Sequence, residues 1–278
     1  MGNARRYMLY SGYNFLKAMG LVRLNLFSSE YANVLMFHRV NSYDFDGLTT
    51  PTHVFEETMR EISTNYKAIS LSELIGKIKN KEKIESKSVV VTFDDGYKDN
   101  FVSAAPILLK CGIPASFFVT SGYINSQRVF PWDREQDSKL PLMSWDDVRS
   151  LSRMGFDIGS HTVNHVNLGK VSAQEAREEL YGSKARIENE IGKPVSTFAY
   201  PFGRKDCIRK DVVNIVKEIG YDCCCSGYGG KVKTDSDIYN LNRIPMYPNL
   251  IELKMELDGF MTYYDGKMSI NMLRSHSR

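Results

Sequence analysis

Short apolar, β-rich runs alternate along this chain with stretches of helical periodicity, and that alternation narrows the accessible folds more than any other feature. Residues 34–37, 89–93, 115–120, 156–159, 197–200, 221–226 and 241–244 read as buried strands. Between them, 55–66 predicts a helix with Phe55, Met59 and Ile62 on one face, and further helices are expected over 99–110 and 145–154. Asp146 and Asp147 fall in the first turn of the last of these, where the helix dipole favours them. Ser172, with Glu175 three residues on, reads as a capping box opening a helix that stops at Gly192. Another helix spans 206–219 and stops at Gly220. Strands alternating with helices imply a parallel sheet with crossovers, and seven units fit one barrel-like α/β domain. In such folds the chemistry sits at the C-terminal ends of the strands, so the residues just after each run carry the functional question.

A chain of 278 residues buries a sizeable core without covalent staples. With 42% hydrophobic and 25% charged residues it is neither a disordered chain, a collagen-like repeat nor a disulfide-stapled mini-protein. Cys111, Cys207 and the run Cys223-Cys224-Cys225 show no paired zinc-ribbon spacing. Neighbours in an extended segment point to opposite faces, so the run reads as small buried strand residues. Reduced thiols without a clear secretory signal favour the cytoplasm.

The formal charge is +3, and residues 1–30 account for all of it: Arg5, Arg6, Lys17 and Arg23 stand against Glu30 alone. The remainder is neutral and gives no polyanion signature, which argues against a nucleic-acid module. Residues 1–30 form a basic, amphipathic arm, and 31–278 read as the α/β domain whose strand ends, below, make it the candidate catalytic domain. Lys17 and Arg23 interrupt the arm's apolar residues, so no stretch approaches the ~20 needed to span a bilayer. The arm is either a helix packed on the body or a segment lying on an anionic membrane surface.

Four strand ends carry chemistry. Thr92-Phe93-Asp94-Asp95-Gly96 sends two carboxylates out of an apolar strand into a glycine turn, and adjacent like charges are costly without a compensating cation or proton. His161 and His165, four apart after another strand, can converge on one metal. Asp95, His161 and His165 together form a two-His, one-carboxylate set with coordination positions left for water and substrate. A metal there lowers the pKa of its water from 15.7 to roughly 7, leaving Asp94 as general base or as a further ligand. Tyr200-Pro201-Phe202-Gly203 forms a turn that either only redirects the chain or aims a backbone N–H at an oxyanion. His38, ending the first strand, is a general-acid candidate or a structural imidazole.

Thr92 to Gly96, His161 to His165 and Tyr200 to Gly203 resemble, in that order, the polysaccharide deacetylases of the NodB-homology class, carbohydrate esterase family 4, over roughly residues 34–246. The resemblance implies a distorted (β/α)7 barrel that binds Zn2+, with Co2+ or Ni2+ as alternatives, and hydrolyses N-acetyl groups on sugars. It implies Asp94 as base, Asp95, His161 and His165 as metal ligands, and the Phe202 N–H as oxyanion donor. Many members carry an arginine at the position of Ala199, and a late Leu-x-x-x-His acid. Here the late segment is Leu241-Asn242-Arg243-Ile244-Pro245-Met246, without histidine. The chain resembles instead the branch containing poly-N-acetylglucosamine deacetylases, in which an early histidine like His38 is the acid. Arg243 or Arg39 is the candidate for the missing arginine.

The expected partner is an N-acetylated sugar, oligosaccharide or glycolipid, with peripheral membrane contact through the arm. The segment 123–142, with Trp132, is either a substrate loop or core. The alternative readings are an O-acetyl or formyl hydrolase and a catalytically inactive glycan binder.

Overall fold

The run Ser-Val-Val-Val-Thr-Phe at 88–93 is buried at every position, and the sheet is built outward from it. The computed structural model describes residues 3–19, 30–43, 46–135, 140–247 and 249–260. In chain order the strands are β1 (Ala32–Phe37), β2 (Arg39–Asn41), β3 (Thr49–Pro51), β4 (Lys67–Ala68), β5 (Ser88–Phe93), β6 (Ala115–Val119), β7 (Asp157–Ser160), β8 (Thr197–Ala199), β9 (Cys223–Cys225) and β10 (Ile244–Pro245). The helices are α1 (Asn3–Ala18), α2 (Thr52–Asn65), α3 (Leu71–Lys79), α4 (Ala105–Cys111), α5 (Pro131–Glu135), α6 (Trp145–Arg153), α7 (Ala173–Ile191), α8 (Lys210–Ile219) and α9 (Leu250–Leu257).

The main sheet runs β10-β1-β5-β6-β7-β8-β9, with every pair parallel, and β4 pairs with the start of β5. Leu241 closes the curl. Its N–H donates to Cys224 O and its own carbonyl accepts from Ser226 N–H, each at 2.8 Å, just before the chain enters β10 beside β1. Six of the seven expected strands are thus strands of a distorted (β/α)7 barrel, and the seventh, expected over 241–244, is shifted to Ile244–Pro245, with Leu241 making only an isolated bridge to Cys225. The pleat splits the core in two. Leu35, Phe37, Val89, Val91 and Phe93 pack with α2, α4, α6, α7 and α8. Val34, Val90, Phe118, Cys223 and Cys225 form the second cluster with α3. The cysteine run behaves as its alternation predicts, because Cys224 belongs to the first cluster and its two neighbours to the second. Phe93 stacks between Phe37 (5.3 Å) and Phe117 (4.7 Å), locking three strands directly beneath Asp94. Truncating such a ring costs about 3–5 kcal/mol.

Several local expectations are corrected. The helix expected over 99–110 starts with a π-helical turn, Asn100–Ala104. The one expected over 206–219 is a 3₁₀ turn, Lys205–Cys207, followed by α8. Between them Arg209 is extended, its guanidinium held by Asp211 and by the carbonyls of Gly169 and Val171. Ser172 Oγ accepts from Glu175 N–H, but the box with both arms made is Ser144–Asp147 at α6. Helix α3 went unread although Ser70 and Glu73 supply the same cap signal.

The described part of the arm is a helix packed on α9. Leu9 and Tyr13 are buried, and the Tyr13 hydroxyl donates to Asp258 (2.8 Å). Residues 1, 2 and 20–29 of the arm, and 136–139 of the expected substrate loop, lie outside the described residues. No described helix is long and apolar enough to cross a membrane.

Candidate active site

At the end of β5 the backbone turns sharply, with Asp95 at φ 75° and Gly96 at φ 94°. A Cβ on Gly96 would lie 2.8 Å from the tip of the Ile124 side chain, which can shift, so it is the positive φ that calls for glycine here. The turn sends the two neighbouring carboxylates in different directions. Asp95, Thr162, His165 and Phe202 all hold positive φ despite carrying side chains. Such strain, of order 1–3 kcal/mol per residue, collects where a site over-determines the backbone.

Asp95 Oδ1 lies 3.5 Å from His161 Nε2 and 3.3 Å from His165 Nε2. The three ligand atoms fall within 4.8 Å of one another. His161 Nδ1 is 2.8 Å from Ala199 O. A carbonyl only accepts, so the proton sits on Nδ1 and the Nε2 lone pair faces Asp95. Burial lowers the His161 pKa to about 4 against the pull of Asp94, so the ring is neutral and ready to ligate. Burial pushes the Asp95 carboxyl up, but the close approach of His165 outweighs it and holds it below the ordinary range. Asp95 Oδ1 is nonetheless a buried oxygen without a hydrogen-bond partner. Lone pairs gathered in a buried pocket repel unless a cation lies between them. With bonds of ~2.0–2.1 Å, tetrahedral ligand atoms stand about 3.3–3.4 Å apart. The donor set, its spacing and the orphaned oxygen therefore fit a divalent cation.

Asp94 takes no part in that cluster of ligand atoms. Arg243 grips it with two parallel bonds, Nη1 to Oδ1 and Nη2 to Oδ2, each 2.7 Å. The same guanidinium donates from Nε to Ser226 O (2.7 Å) and from Nη1 to Thr92 Oγ1 (3.2 Å). Both partners are fully buried. Burial alone would raise the Asp94 pKa, but the charge of the Arg243 guanidinium beside it outweighs that and holds it low. Of the two arginines left open by the sequence, Arg243 therefore meets Asp94. Arg39 instead pairs with Asp133 and Asp46.

One cavity of about 260 Å³ is lined by His38, Asp94, Asp95, His161, His165, Phe202 and Arg243, so the candidate site residues other than Arg39 meet in it. The Phe202 turn is locked by Gly203 (φ 57°), where a Cβ would fall 2.2 Å from Gly227 N, and by Gly227 N–H donating to Gly203 O (2.8 Å). The His38 main chain is tied down by Asn100, whose Nδ2 donates to His38 O (2.8 Å). Trp132 lines the cavity with its ring 5.0 Å from that of His165, so this residue belongs to the wall of the site rather than to the core alone.

Two features escaped the sequence. Glu179 on α7 accepts from Val163 N–H (2.9 Å) and Asn164 N–H (2.8 Å), bracing the loop between the histidines. A buried acid within an amphipathic helix was the available signal. Leu48 lines the cavity from the loop before β3 and carried no signal at all.

The sequence model of the family described as polysaccharide deacetylase matches residues 81–224, just over half of the chain. The poly-beta-1,6-N-acetyl-D-glucosamine N-deacetylase of Staphylococcus aureus (strain MRSA252) is 25% identical over 243 residues, covering 84% of this chain and 80% of its own. Among solved structures, IcaB from Ammonifex degensii aligns with a TM-score of 0.71 at 20% identity, over 83% of this chain and 98% of its own. The Streptococcus pyogenes deacetylase PplD, solved in complex with acetate, aligns with a TM-score of 0.69 at 22% identity, over 82% and 97%. These two share the fold. The family match spans the strand ends that deliver Asp94, Asp95, both histidines and Phe202 to one cavity, and on that match the chain belongs to the polysaccharide deacetylase family.

Proposed function

We propose that this chain hydrolyses N-acetyl groups on amino sugars of a glycan or glycolipid, releasing acetate and a free amine, with a divalent cation held by Asp95, His161 and His165. The observation that carries the reading is the divergence of two adjacent carboxylates. Asp95 joins the imidazoles, while Asp94 is clamped by Arg243 beside them and faces the same cavity. A structural site has no need of a second, separately held carboxylate. The activity in the name of the Staphylococcus relative supports a poly-N-acetylglucosamine-type substrate. One carboxylate and two imidazoles suit zinc, with cobalt and nickel as the alternatives.

Such a cation supplies Lewis acidity towards the acetyl carbonyl and a more acidic water. The protein's own groups do the rest. Asp94, kept ionised by Arg243, accepts a proton from the water that attacks the carbonyl carbon. The N–H of Phe202 donates to the oxygen as negative charge builds on it, a contact of a kind worth about 10²–10³ in rate. His38 protonates the nitrogen as the C–N bond breaks. One water is consumed, and the products are acetate and an amino sugar.

The test is acetate release from β-1,6-linked N-acetylglucosamine oligomers by the zinc-loaded protein and by Asp94→Asn. The variant is expected to lose about 10²–10⁴ of the rate while retaining its metal. Wild-type turnover in Asp94→Asn would overturn the assignment.

A further inference from the structure

Arg39 is a fully buried guanidinium that takes no part in the chemistry just described. It joins two segments that belong to no strand of the main sheet. On one side it pairs with Asp46. Asp46 Oδ1 accepts from Leu48 N–H (2.9 Å) and Thr49 Oγ1 (3.0 Å), and the Arg39 N–H itself donates to Leu48 O (3.2 Å). On the other side Arg39 Nη1 donates to Asp133 Oδ1 (3.2 Å), while Asp133 Oδ2 accepts from the Tyr97 hydroxyl (2.7 Å). That hydroxyl accepts in turn from Trp132 Nε1–H (2.9 Å), and the Arg39 guanidinium lies 5.1 Å from the Tyr97 ring centre. Leu48 and Trp132 are the two ends of this chain of contacts, and both line the active-site cavity.

We infer that Arg39 is a positioning residue that sets the width of the acyl-binding cavity by holding the Leu48 and Trp132 walls at a fixed separation, and so restricts the enzyme to small acyl groups such as acetyl. The inference rests on the hydrolase reading above and deepens it. Leu48 is fixed through both its N–H and its carbonyl. The Trp132 indole is fixed through its only hydrogen-bond donor, with its ring edge-on to His165 at 5.0 Å. Neither wall shifts without breaking a charged or doubly shared hydrogen bond in a network whose centre, Arg39 with Asp133 and Tyr97, is buried. Rigid apolar walls reject an added methylene by about 10–200-fold, and a wall free to move forfeits that discrimination.

The experiment compares kcat/KM for N-acetyl-, N-propionyl- and N-butyryl-glucosamine oligomers in zinc-loaded wild type, Tyr97→Phe, Asp46→Asn and Arg39→Lys. Tyr97→Phe removes one hydroxyl and no charge, so it decides the matter even if Arg39→Lys does not fold. The acetyl-to-butyryl ratio is expected to fall at least about fivefold in the variants, with metal content unchanged. A loss of rate that is equal for all three acyl groups, or no change at all, refutes the assignment, because a purely structural network lowers every rate together. Should the wild type release no acid, the hydrolase reading fails by itself. The same ranking is then taken from protection of the zinc-loaded protein against melting by acetate, propionate and butyrate, where an unchanged order in Tyr97→Phe again refutes it.

Discussion

Replacing Arg243 by methionine removes both 2.7 Å bonds to Asp94 while keeping most of the side-chain volume. A hydrogen bond to a charged group contributes about 1.5–3 kcal/mol, so the two together contribute about 3–6. Stranding one member of a buried ion pair costs about 3–5 kcal/mol, which agrees. At about 2–4 °C per kcal/mol, the melting temperature is expected to fall by about 6–20 °C. Asp94 is held below its ordinary pKa in the native protein, so the pair's contribution is full above the unfolded carboxyl value and fades as the pH falls through the lowered native one. Without the guanidinium, burial prevails and the carboxyl shifts upward. The deficit relative to wild type is therefore largest near neutral pH and smallest in acid. For the same reason the acid limb of the kcat/KM profile moves to higher pH, and the misplaced base lowers the rate by roughly 10²-fold. Calorimetric melts from pH 4 to 8 and a pH–rate profile test both arms. Arg243→Lys, which keeps the charge but not the fork, is expected to fall between the two. A methionine variant with the wild-type acid limb would sink the argument that Arg243 tunes Asp94.

Adding zinc at about 100 times its Kd to chelator-stripped protein is expected to stabilise it by about 2.7 kcal/mol, a rise of about 5–10 °C in Tm; no shift would mean that the three ligands do not share an ion. Glu179→Ala deprives two N–H groups of the histidine loop of their acceptor, and zinc affinity measured by chelator competition is expected to weaken about 10–100-fold. Gly203→Ala forces a Cβ against Gly227 N at φ 57°. It is expected to cost about 1–3 kcal/mol and to reduce acetate release by roughly 10²-fold with bound zinc unchanged.

What was legible came from patterns that are local in the chain. Seven apolar runs and the helices between them announced a parallel barrel because β and helical periodicities differ and crossovers follow from alternation. Asp94-Asp95-Gly96 and His161-x-x-x-His165 were legible because a carboxylate pair or a histidine pair leaving a buried strand is costly without a reason. Ser172 caps its helix as its spacing to Glu175 announced, but Ser-x-x-acid also occurs at Ser144 and Ser70, and only packing decides where both arms of a box close. The π-helical turn at Asn100 has no periodicity of its own.

The sequence by itself determined the strand ends and the residue types placed there, because each is set by neighbours a few positions away. Only the tertiary structure decided that Arg243 rather than Arg39 meets Asp94, that Trp132 and Leu48 wall the cavity, and that Glu179 braces the histidine loop. Arg243 and Asp94 lie 149 residues apart. Which of two arginines reaches a carboxylate depends on how the sheet closes through Leu241, and closure is a property of all seven strands together.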